Sequence, residues 1–205
     1  MEIKVLPLGL IAANCYMISS NTAAIVIDPG KYSPLVADFL IQNKSKERAI
    51  LLTHSHFDHI CGAKQLRDET TTDIIVSKKD EEGLFNTHLS LSDQFHAKQT
   101  PFRADKTVID GEFLNIGDLN IKCIETPGHT PGSMCFLIGN ELFSGDTLFS
   151  GSIGRTDFPG SNHLEMMSSL KKLSAFSKTI KVFPGHGEST TIGEELLSNP
   201  YFSEI

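Results

Sequence analysis

Three histidines and one aspartate lie within six consecutive positions of the sequence, at His54, His56, Asp58 and His59. Imidazole nitrogens and carboxylate oxygens are ligands of zinc and other borderline divalent metals, and a metal site needs several of them close together. Without a cation, so many ionisable groups packed side by side would repel or desolvate one another. The pattern therefore predicts that this stretch binds metal.

A predicted strand positions these four residues. Residues 49–52 are an apolar run, which is typical of a buried strand. Side chains two positions apart in an extended chain point to the same side, so His54, His56 and Asp58 are expected to share a face where the strand ends. His59 breaks this alternation and is free to turn toward a second metal.

Three further single His or Asp residues follow strand-like runs, each in or beside a turn that contains glycine or proline. They are His129 in TPGHTPGS, Asp146 in SGDTLF and His186 in FPGHG. A strand followed by a turn that carries potential metal ligands therefore recurs along the chain. No internal repeat or low-complexity segment is evident.

Short apolar and β-branched runs separated by turn residues predict a strand-rich fold with helices outside it. Strands are predicted at 3–8, 14–19, 23–28, 48–53, 73–77, 107–110, 113–116, 119–125, 134–138, 141–144 and 180–183, the first three as sequential antiparallel strands. Helices are predicted at 35–43, 62–68, 78–84, 162–176 and 193–198. In the fourth helix, Ser161 is the expected cap, and the expected apolar face contains Leu164, Met167, Leu170 and Leu173.

The segment 85–106 shows no clear periodicity. A loop of this length inside a compact domain is usually functional or mobile. Two interpretations remain open, a flap over the active site and a packed excursion on the surface. His88 and His96 fall in this segment and are expected to face solvent, because neither has a partner at metal-binding spacing.

Size and charge limit the classes of function. The chain of 205 residues is expected to form a single domain over 1–205. The net charge of -7 disfavours nucleic acid as a partner, and no apolar run is long enough to span a bilayer. The first residues lack the pattern of a secretory signal, so we expect a cytoplasmic protein with a small-molecule substrate. The four scattered cysteines predict no disulfide framework.

The stretch HSHFDH at 54–59, together with the three later turns, resembles the metallo-β-lactamase superfamily. The resemblance covers most of the chain. It implies an α/β (α+β) fold, a four-layer αββα sandwich of two mixed β-sheets, with the site at one edge of the packed sheets.

The resemblance also implies two divalent metal ions and seven ligands. By this resemblance His54, His56 and His129 hold the first metal, Asp58, His59 and His186 hold the second, and Asp146 bridges both. Zinc is the expected metal, and iron or manganese would accept the same ligands. The implied nucleophile is a hydroxide that bridges the metals, with Asp58 and Asp146 as the catalytic carboxylates.

Residues 148–160 are similar to the corresponding segment of glyoxalase II-like hydrolases, especially short bacterial forms without the C-terminal helical domain. This similarity implies hydrolysis of S-D-lactoylglutathione or a related thioester to an acid and a thiol. Arg155 and Asp157 are candidate substrate contacts. The alternative for this pair is an internal salt bridge that shapes the loop.

Other functions remain open. Residues 154–158 also resemble a segment of persulfide dioxygenases, which would imply one iron held by His54, His129 and Asp146. Hydrolysis of a lactone or another ester is possible on the same site. A non-catalytic metal-binding domain is disfavoured, because structural zinc sites are closed and often rich in cysteine. The sequence does not indicate an oligomeric state.

Overall fold

Two six-stranded β-sheets form the centre of the computed structural model, which describes residues 1–205. The first sheet contains, in chain order, β1 (Glu2–Leu8), β2 (Ala13–Ser19), β3 (Ala23–Ile27), β4 (Glu47–Leu51), β5 (Ile74–Ser77) and β6 (Lys106–Val108). The strands of the second sheet are β7 (Phe113–Ile116), β8 (Leu119–Glu125), β9 (Met134–Ile138), β10 (Glu141–Gly145), β13 (Lys181–Pro184) and β14 (Thr190–Thr191). A separate small hairpin consists of β11 (Leu148–Phe149) and β12 (Ser152–Ile153).

Five α-helices accompany the sheets. They are α1 (Pro34–Gln42), α2 (Phe57–Ile60), α3 (Ala63–Thr70), α4 (His163–Ser174) and α5 (Ile192–Ser198). Two short 3-10 helices span Glu81–Leu84 and Pro200–Glu204. None of the helices is both long and apolar enough to cross a membrane.

Both sheets are mixed. In the first sheet β1, β2 and β3 are antiparallel, whereas β3, β4, β5 and β6 run parallel to one another. In the second sheet, β7 to β10 form an antiparallel series and β13 lies parallel to β10, between β10 and β14. Because the carboxyl ends of parallel strands meet at one edge of a sheet, the turns after β3, β4 and β5 share an edge. The turns after β8, β10 and β13 share an edge of the second sheet for the same reason.

Alternation along the strands builds four layers. In β3, Ile25 and Ile27 point into the core between the sheets, whereas Val26 packs under the helices α1 and α3. In β8, Cys123 faces the core between the sheets and Ile124 faces α4. Strands with both faces buried are typical of sheets covered by helices on one side and a second sheet on the other. The predicted αββα sandwich is confirmed.

The start of α4 differs from the prediction. Asn162, not Ser161, caps the helix, and its side chain accepts hydrogen bonds from the backbone N–H groups of Leu164 and Glu165. The hydroxyl of Ser161 instead donates to the carbonyl of His129 at 2.7 Å. The predicted apolar face is wrong at its first position, because the side chain of Leu164 is exposed and Met166 is buried in its place.

Candidate metal centre

The turns that follow strands at the shared edges carry all seven predicted ligands. His54, His56, Asp58 and His59 follow β4, His129 follows β8, Asp146 lies directly after β10, and His186 follows β13. The first sheet therefore supplies four of these side chains and the second sheet supplies three. The structure brings all of them together in two groups joined by one carboxylate.

The first group contains His54, His56 and His129. Their potential ligand nitrogens lie within 4.8 Å of one another, and all three residues are buried. Nδ1 of His56 is 2.8 Å from Nε2 of His129. The imidazole lone pairs of two separate loops thus point into the same small volume, as a shared cation requires.

The second group contains Asp58, His59 and His186, whose potential ligand atoms also lie within 4.8 Å of one another. Oδ2 of Asp58 is 3.2 Å from Nε2 of His59 and 3.1 Å from Nε2 of His186. The expectation that Asp58 shares a face with His54 and His56 is wrong. The chain leaves the extended conformation after His56 and enters the single helical turn α2, which directs Asp58 to the second group.

Asp146 lies between the two groups. Its Oδ2 is 3.5 Å from Nε2 of His129 in the first group and 3.8 Å from Nε2 of His186 in the second. Its Oδ1 is 3.4 Å from Nε2 of His59. One carboxylate therefore reaches both groups of ligands, which is the position that a bridging ligand would occupy.

Burial favours the neutral form of two imidazoles in the first group, those of His54 and His56. Burial, together with the neighbouring histidines, holds the pKa of His54 well below its usual range. Burial and the nearby His129 lower the pKa of His56 to about 3. A histidine binds metal through the lone pair of its neutral form, so these two side chains are already in the protonation state that a metal needs.

Negative charge dominates the second group. Burial alone would lower the pKa of His59, but Asp58, Asp146 and Asp28 raise it well above the usual value. Burial opposes ionisation of both Asp58 and Asp146, yet the positive charge of His59 lowers the pKa of each. Three carboxylates buried around one imidazole need a compensating positive charge, which a divalent cation supplies more fully than a proton.

Buried atoms without partners support a metal in this place. Nε2 of His54, Nε2 of His59 and Oδ1 of Asp146 are inaccessible to solvent and make no hydrogen bond, and Nε2 of His56 shares this state. Leaving such atoms unpaired costs about 1–3 kcal/mol each. Coordination would satisfy several of them at once, and nitrogen and oxygen donors suit a borderline divalent cation. The residues present therefore fit divalent metal.

Asp28, which the sequence analysis missed, orients one of the candidate ligands. Its carboxylate accepts hydrogen bonds from the backbone N–H of Thr53 at 2.8 Å, the Thr53 hydroxyl at 2.6 Å and Nδ1 of His59 at 2.9 Å. These contacts leave Nε2 of His59 facing the centre. The signal was present, because Asp28 also ends an apolar strand and precedes a Pro-Gly turn.

Asp80, also missed, joins two of the ligand loops. Its buried carboxylate accepts from the backbone N–H of Ser55 at 2.9 Å, the hydroxyl of Thr130 at 2.8 Å and the backbone N–H of Gly132 at 2.7 Å. Burial raises its pKa despite these bonds. Ser55 lies between two candidate ligands and Thr130 follows His129, so Asp80 fixes the spacing of the first group. The polar run around Asp80 gave no sign of this role.

A pocket of about 360 Å³ opens above the centre. Its apolar walls include Ile11, Leu91, Phe95, Phe149 and Phe158, while His56, Asp58, His129, Asp146 and His186 also line it. Two of the wall residues belong to the segment 85–106, so part of this segment is packed against the site. Whether the segment also moves as a flap stays a prediction.

Arg155 and Asp157 form an ion pair at the mouth of the pocket. Nε and Nη2 of Arg155 donate to the two carboxylate oxygens of Asp157 at 2.9 and 2.7 Å. The guanidinium carbon lies 4.3 Å from the ring centroid of Phe158. The backbone carbonyl of Arg155 accepts from Nδ1 of His129 at 2.8 Å, which orients that imidazole. The structure therefore contains the internal salt bridge that was the alternative interpretation of this pair. Contact of the pair with substrate stays a prediction.

Comparison with known proteins identifies the family. Residues 8–186 match the family model described as the metallo-beta-lactamase superfamily. The chain belongs to this superfamily. Its members are mostly metal-dependent hydrolases, a class that the clustered His and Asp side chains fit.

Several relatives in the metallo-beta-lactamase superfamily match nearly the whole chain. The hydroxyacylglutathione hydrolase GloC of Haemophilus influenzae is 32% identical over 99% of both chains. The crystal structure of the BLEG-1 B3 metallo-beta-lactamase is 34% identical, with a TM-score of 0.88 over 98% of this chain and 100% of that one. A di-iron-bound form of TTHA1623 is 30% identical, with a TM-score of 0.83 over 97% and 99%.

Proposed function

We propose that the protein is a binuclear metal-dependent hydrolase of thioesters, with S-D-lactoylglutathione as the representative substrate. The observation that carries the proposal is the position of Asp146, whose two oxygens lie within 3.8 Å of imidazole nitrogens from both ligand groups. Seven converging side chains exceed the four ligands that one zinc ion takes. The similarity to GloC of Haemophilus influenzae, a hydroxyacylglutathione hydrolase, supports the choice of thioester.

Two bound divalent cations would polarise the substrate carbonyl and lower the pKa of a water molecule between them. His54, His56 and His129 would hold one cation, Asp58, His59 and His186 would hold the other, and Asp146 is within reach of both groups. Zinc is our choice of metal, with iron and manganese as alternatives that these ligands accept. Hydrolysis adds one water across the C–S bond and yields a carboxylic acid and a thiol.

The residues of the pocket have their own tasks in this reaction. Asp58 and Asp146 both line the pocket, so their carboxylates are available to accept the proton that water loses when it adds to the carbonyl. Phe95 and Phe158 line the pocket and offer apolar surface to the acyl group. Where a bound substrate displaces water from this pocket, the charges of the centre act more strongly on the reacting carbonyl.

A persulfide dioxygenase with one iron is the less favoured alternative. Such a centre would use His54, His129 and Asp146 and leave Asp58, His59 and His186 without a task. These three side chains form their own compact, largely buried group beside Asp146. A second cation explains why they converge, so the geometry favours the binuclear hydrolase.

The first test uses protein loaded separately with zinc, iron and manganese. We expect loss of thioester absorbance from S-D-lactoylglutathione, and we expect His56→Ala to abolish it. A chromogenic cephalosporin tests β-lactam hydrolysis, because BLEG-1 is a metallo-beta-lactamase of similar identity. Oxygen uptake with glutathione persulfide tests the dioxygenase. Turnover of either alternative substrate without thioester hydrolysis would refute the proposal.

The number of metals is tested by Asp58→Ala. We expect this variant to keep the fold, lose the second metal and lose most of its hydrolysis, measured as metal content and initial rate. Asp38→Ala is the matched control, because Asp38 is an exposed carboxylate on α1. Full activity of Asp58→Ala with one metal bound would contradict the two-metal mechanism.

A further inference from the structure

A second cavity lies beside the catalytic pocket. It measures about 340 Å³, and Phe57 and Asp58 line both cavities, so the two share a border at the metal centre. This second cavity, called the cationic groove below, is also lined by Lys31, His96 and Lys98. A substrate with its reacting carbonyl at the metals can therefore extend in two directions.

The turn that carries Lys31 is packed tightly against the metal-binding loop. The backbone N–H of Gly62 donates to the carbonyl of Pro29 at 2.8 Å. A Cβ atom at Gly30 would lie 1.6 Å from the carbonyl oxygen of Asp58, and a Cβ at Gly62 would lie 2.4 Å from the carbonyl carbon of Lys31. Glycine at both positions lets the two backbones meet. The main chain of Lys31 therefore has a fixed place beside the centre.

The opposite wall is also anchored. The backbone N–H of Ala97 donates to the carbonyl of Ser92 at 2.8 Å. The side-chain amide of Gln99 donates to the carbonyls of Gly83 and Leu84 at 3.0 and 2.8 Å. Lys98 lies between these two anchored residues. The groove thus has two walls whose backbones are held by hydrogen bonds, and each wall presents an ammonium group.

The two lysines of the groove form no ion pair with a carboxylate of the protein. Neither Lys31 nor Lys98 has a carboxylate oxygen within 4.0 Å, although eight of the other lysines and arginines do. The only carboxylate that lines the groove is Asp58, which faces His59 and His186. In a chain of net charge -7, this is a local positive surface beside the metal centre. Such a surface attracts anions and orients them.

We propose that the cationic groove binds a carboxylate or phosphate on the thiol half of the substrate. The uncharged acyl half then lies in the apolar pocket, so the scissile C–S bond is placed at the border formed by Phe57 and Asp58. This inference rests on the proposed thioester hydrolysis, because it assigns the two halves of that substrate to two cavities. It makes a thiol that carries a carboxylate or a phosphate the preferred leaving group.

Binding of inert thioethers to the metal-loaded protein tests the groove without requiring turnover. The probes are S-methylglutathione for carboxylates, S-methyl-coenzyme A for phosphates and S-methyl-N-acetylcysteamine as the uncharged reference. The variant is Lys31→Glu/Lys98→Glu, and the matched control is Lys44→Glu/Lys178→Glu. Both control lysines are exposed and outside any ion pair. The two variants change the net charge equally, because each replaces two lysines by glutamate.

We expect calorimetry to show that the groove variant binds at least one acidic probe about tenfold more weakly than the wild-type protein. The control variant and the uncharged probe should show no such change. The acidic probe that responds identifies carboxylate or phosphate as the recognised group. Equal loss in both variants, no loss in the groove variant, or no binding of either acidic probe to the wild-type protein would overturn the inference.

Kinetics separates this inference from the proposed function. For a hydrolysed acidic thioester, the groove variant should have a KM raised about tenfold, an unchanged kcat and unchanged constants for a neutral thioester. Unchanged KM values in an active enzyme would overturn the groove and leave the hydrolase standing. Weakened binding of an acidic probe by a protein that hydrolyses no thioester would refute the hydrolase while supporting the anion site.

Discussion

At the scale of single residues, Asp28 shows how a side chain outside the predicted ligand set can control a metal ligand. Its Oδ2 meets both the Thr53 hydroxyl and Nδ1 of His59. A carboxylate on the far nitrogen of an imidazole fixes the ring and its tautomer and makes the near nitrogen a better donor. The orientation of His59 toward the centre therefore depends on Asp28.

We expect Asp28→Asn to weaken metal binding by about 10–100-fold, because an amide cannot supply the negative charge that orients His59. The measurement is the metal retained after dialysis against a series of chelator concentrations. Asp38→Asn, with its exposed carboxylate, serves as the control. Wild-type retention in Asp28→Asn would show that His59 is held in place without this carboxylate.

At the scale of elements, the regular strands were predictable and the ligand loops were predictable only in part. The alternation in β3 and β8 leaves a pattern along the chain, because each side chain faces one of two environments. The single turn α2 leaves no such pattern, since four residues are too few to show a helical period. The expectation that the chain stays extended from the end of the predicted strand 48–53 through Asp58 therefore placed this side chain on the wrong face.

Contacts between residues that are far apart in the chain could also not be predicted from the sequence. Asp80 and Thr130 are separated by 50 positions, and their hydrogen bond depends on the packing of the two sheets.

The N-cap of α4 shows a smaller limit on what the sequence predicts. Ser161 and Asn162 are both good caps, and only the place where the helix begins decides between them.

The turn after β13 approaches the centre so closely that it requires glycine. A Cβ at Gly185 would lie 2.1 Å from Oδ1 of Asp146 and 2.8 Å from Cε1 of His59. We expect Gly185→Ala to displace Asp146 and weaken metal binding at least about tenfold, measured by competition with a chelating dye.

Gly187→Ala is the control within the same turn. Gly187 has a φ of +76°, but no atom lies within 4 Å of its Cβ position. This variant should lose about 1–2 kcal/mol of stability from backbone strain and keep its metals. Equal metal loss in both variants would mean that the turn as a whole, rather than contact with Asp146, governs binding.

Two turns from different sheets are joined by Asp118, which lies between β7 and β8. Its carboxylate accepts hydrogen bonds from the hydroxyls of Ser20 and Thr22, between β2 and β3. These bonds lower its pKa from the ordinary 3.8 to about 2. Because the folded value is depressed, the bonds stabilise the fold above pH 3.8 and the stabilisation is lost as pH falls toward 2.

We therefore expect Asp118→Asn to lower the melting temperature at neutral pH, with a difference from wild type that shrinks below pH 3.8. The melts are recorded in chelator, so that metal release does not contribute. Asp38→Asn should show no comparable trend. A difference that stays constant through the acidic range would mean that ionisation of Asp118 does not stabilise the joined turns.

At the scale of the whole molecule, metal should contribute strongly to stability. Each ion present at roughly 1,000 times its dissociation constant adds about 4 kcal/mol, which for a domain of this size raises the melting temperature by about 10 °C. We expect a chelator to remove this increment and added zinc to restore it, as measured by calorimetry. An unchanged melting temperature, with metal shown to be absent, would mean that the centre does not stabilise the fold.

The ligands also divide along the chain. Residues up to β6 supply His54, His56, Asp58 and His59, and the residues after it supply His129, Asp146 and His186. Neither half contains a complete group, because each group includes a histidine from the second sheet. If the backbone were cleaved in the turn between β6 and β7, we expect bound ions to strengthen the association of the two fragments, which the apolar core between the sheets already favours. A loaded metal centre would thus add a second link between the two halves of the protein.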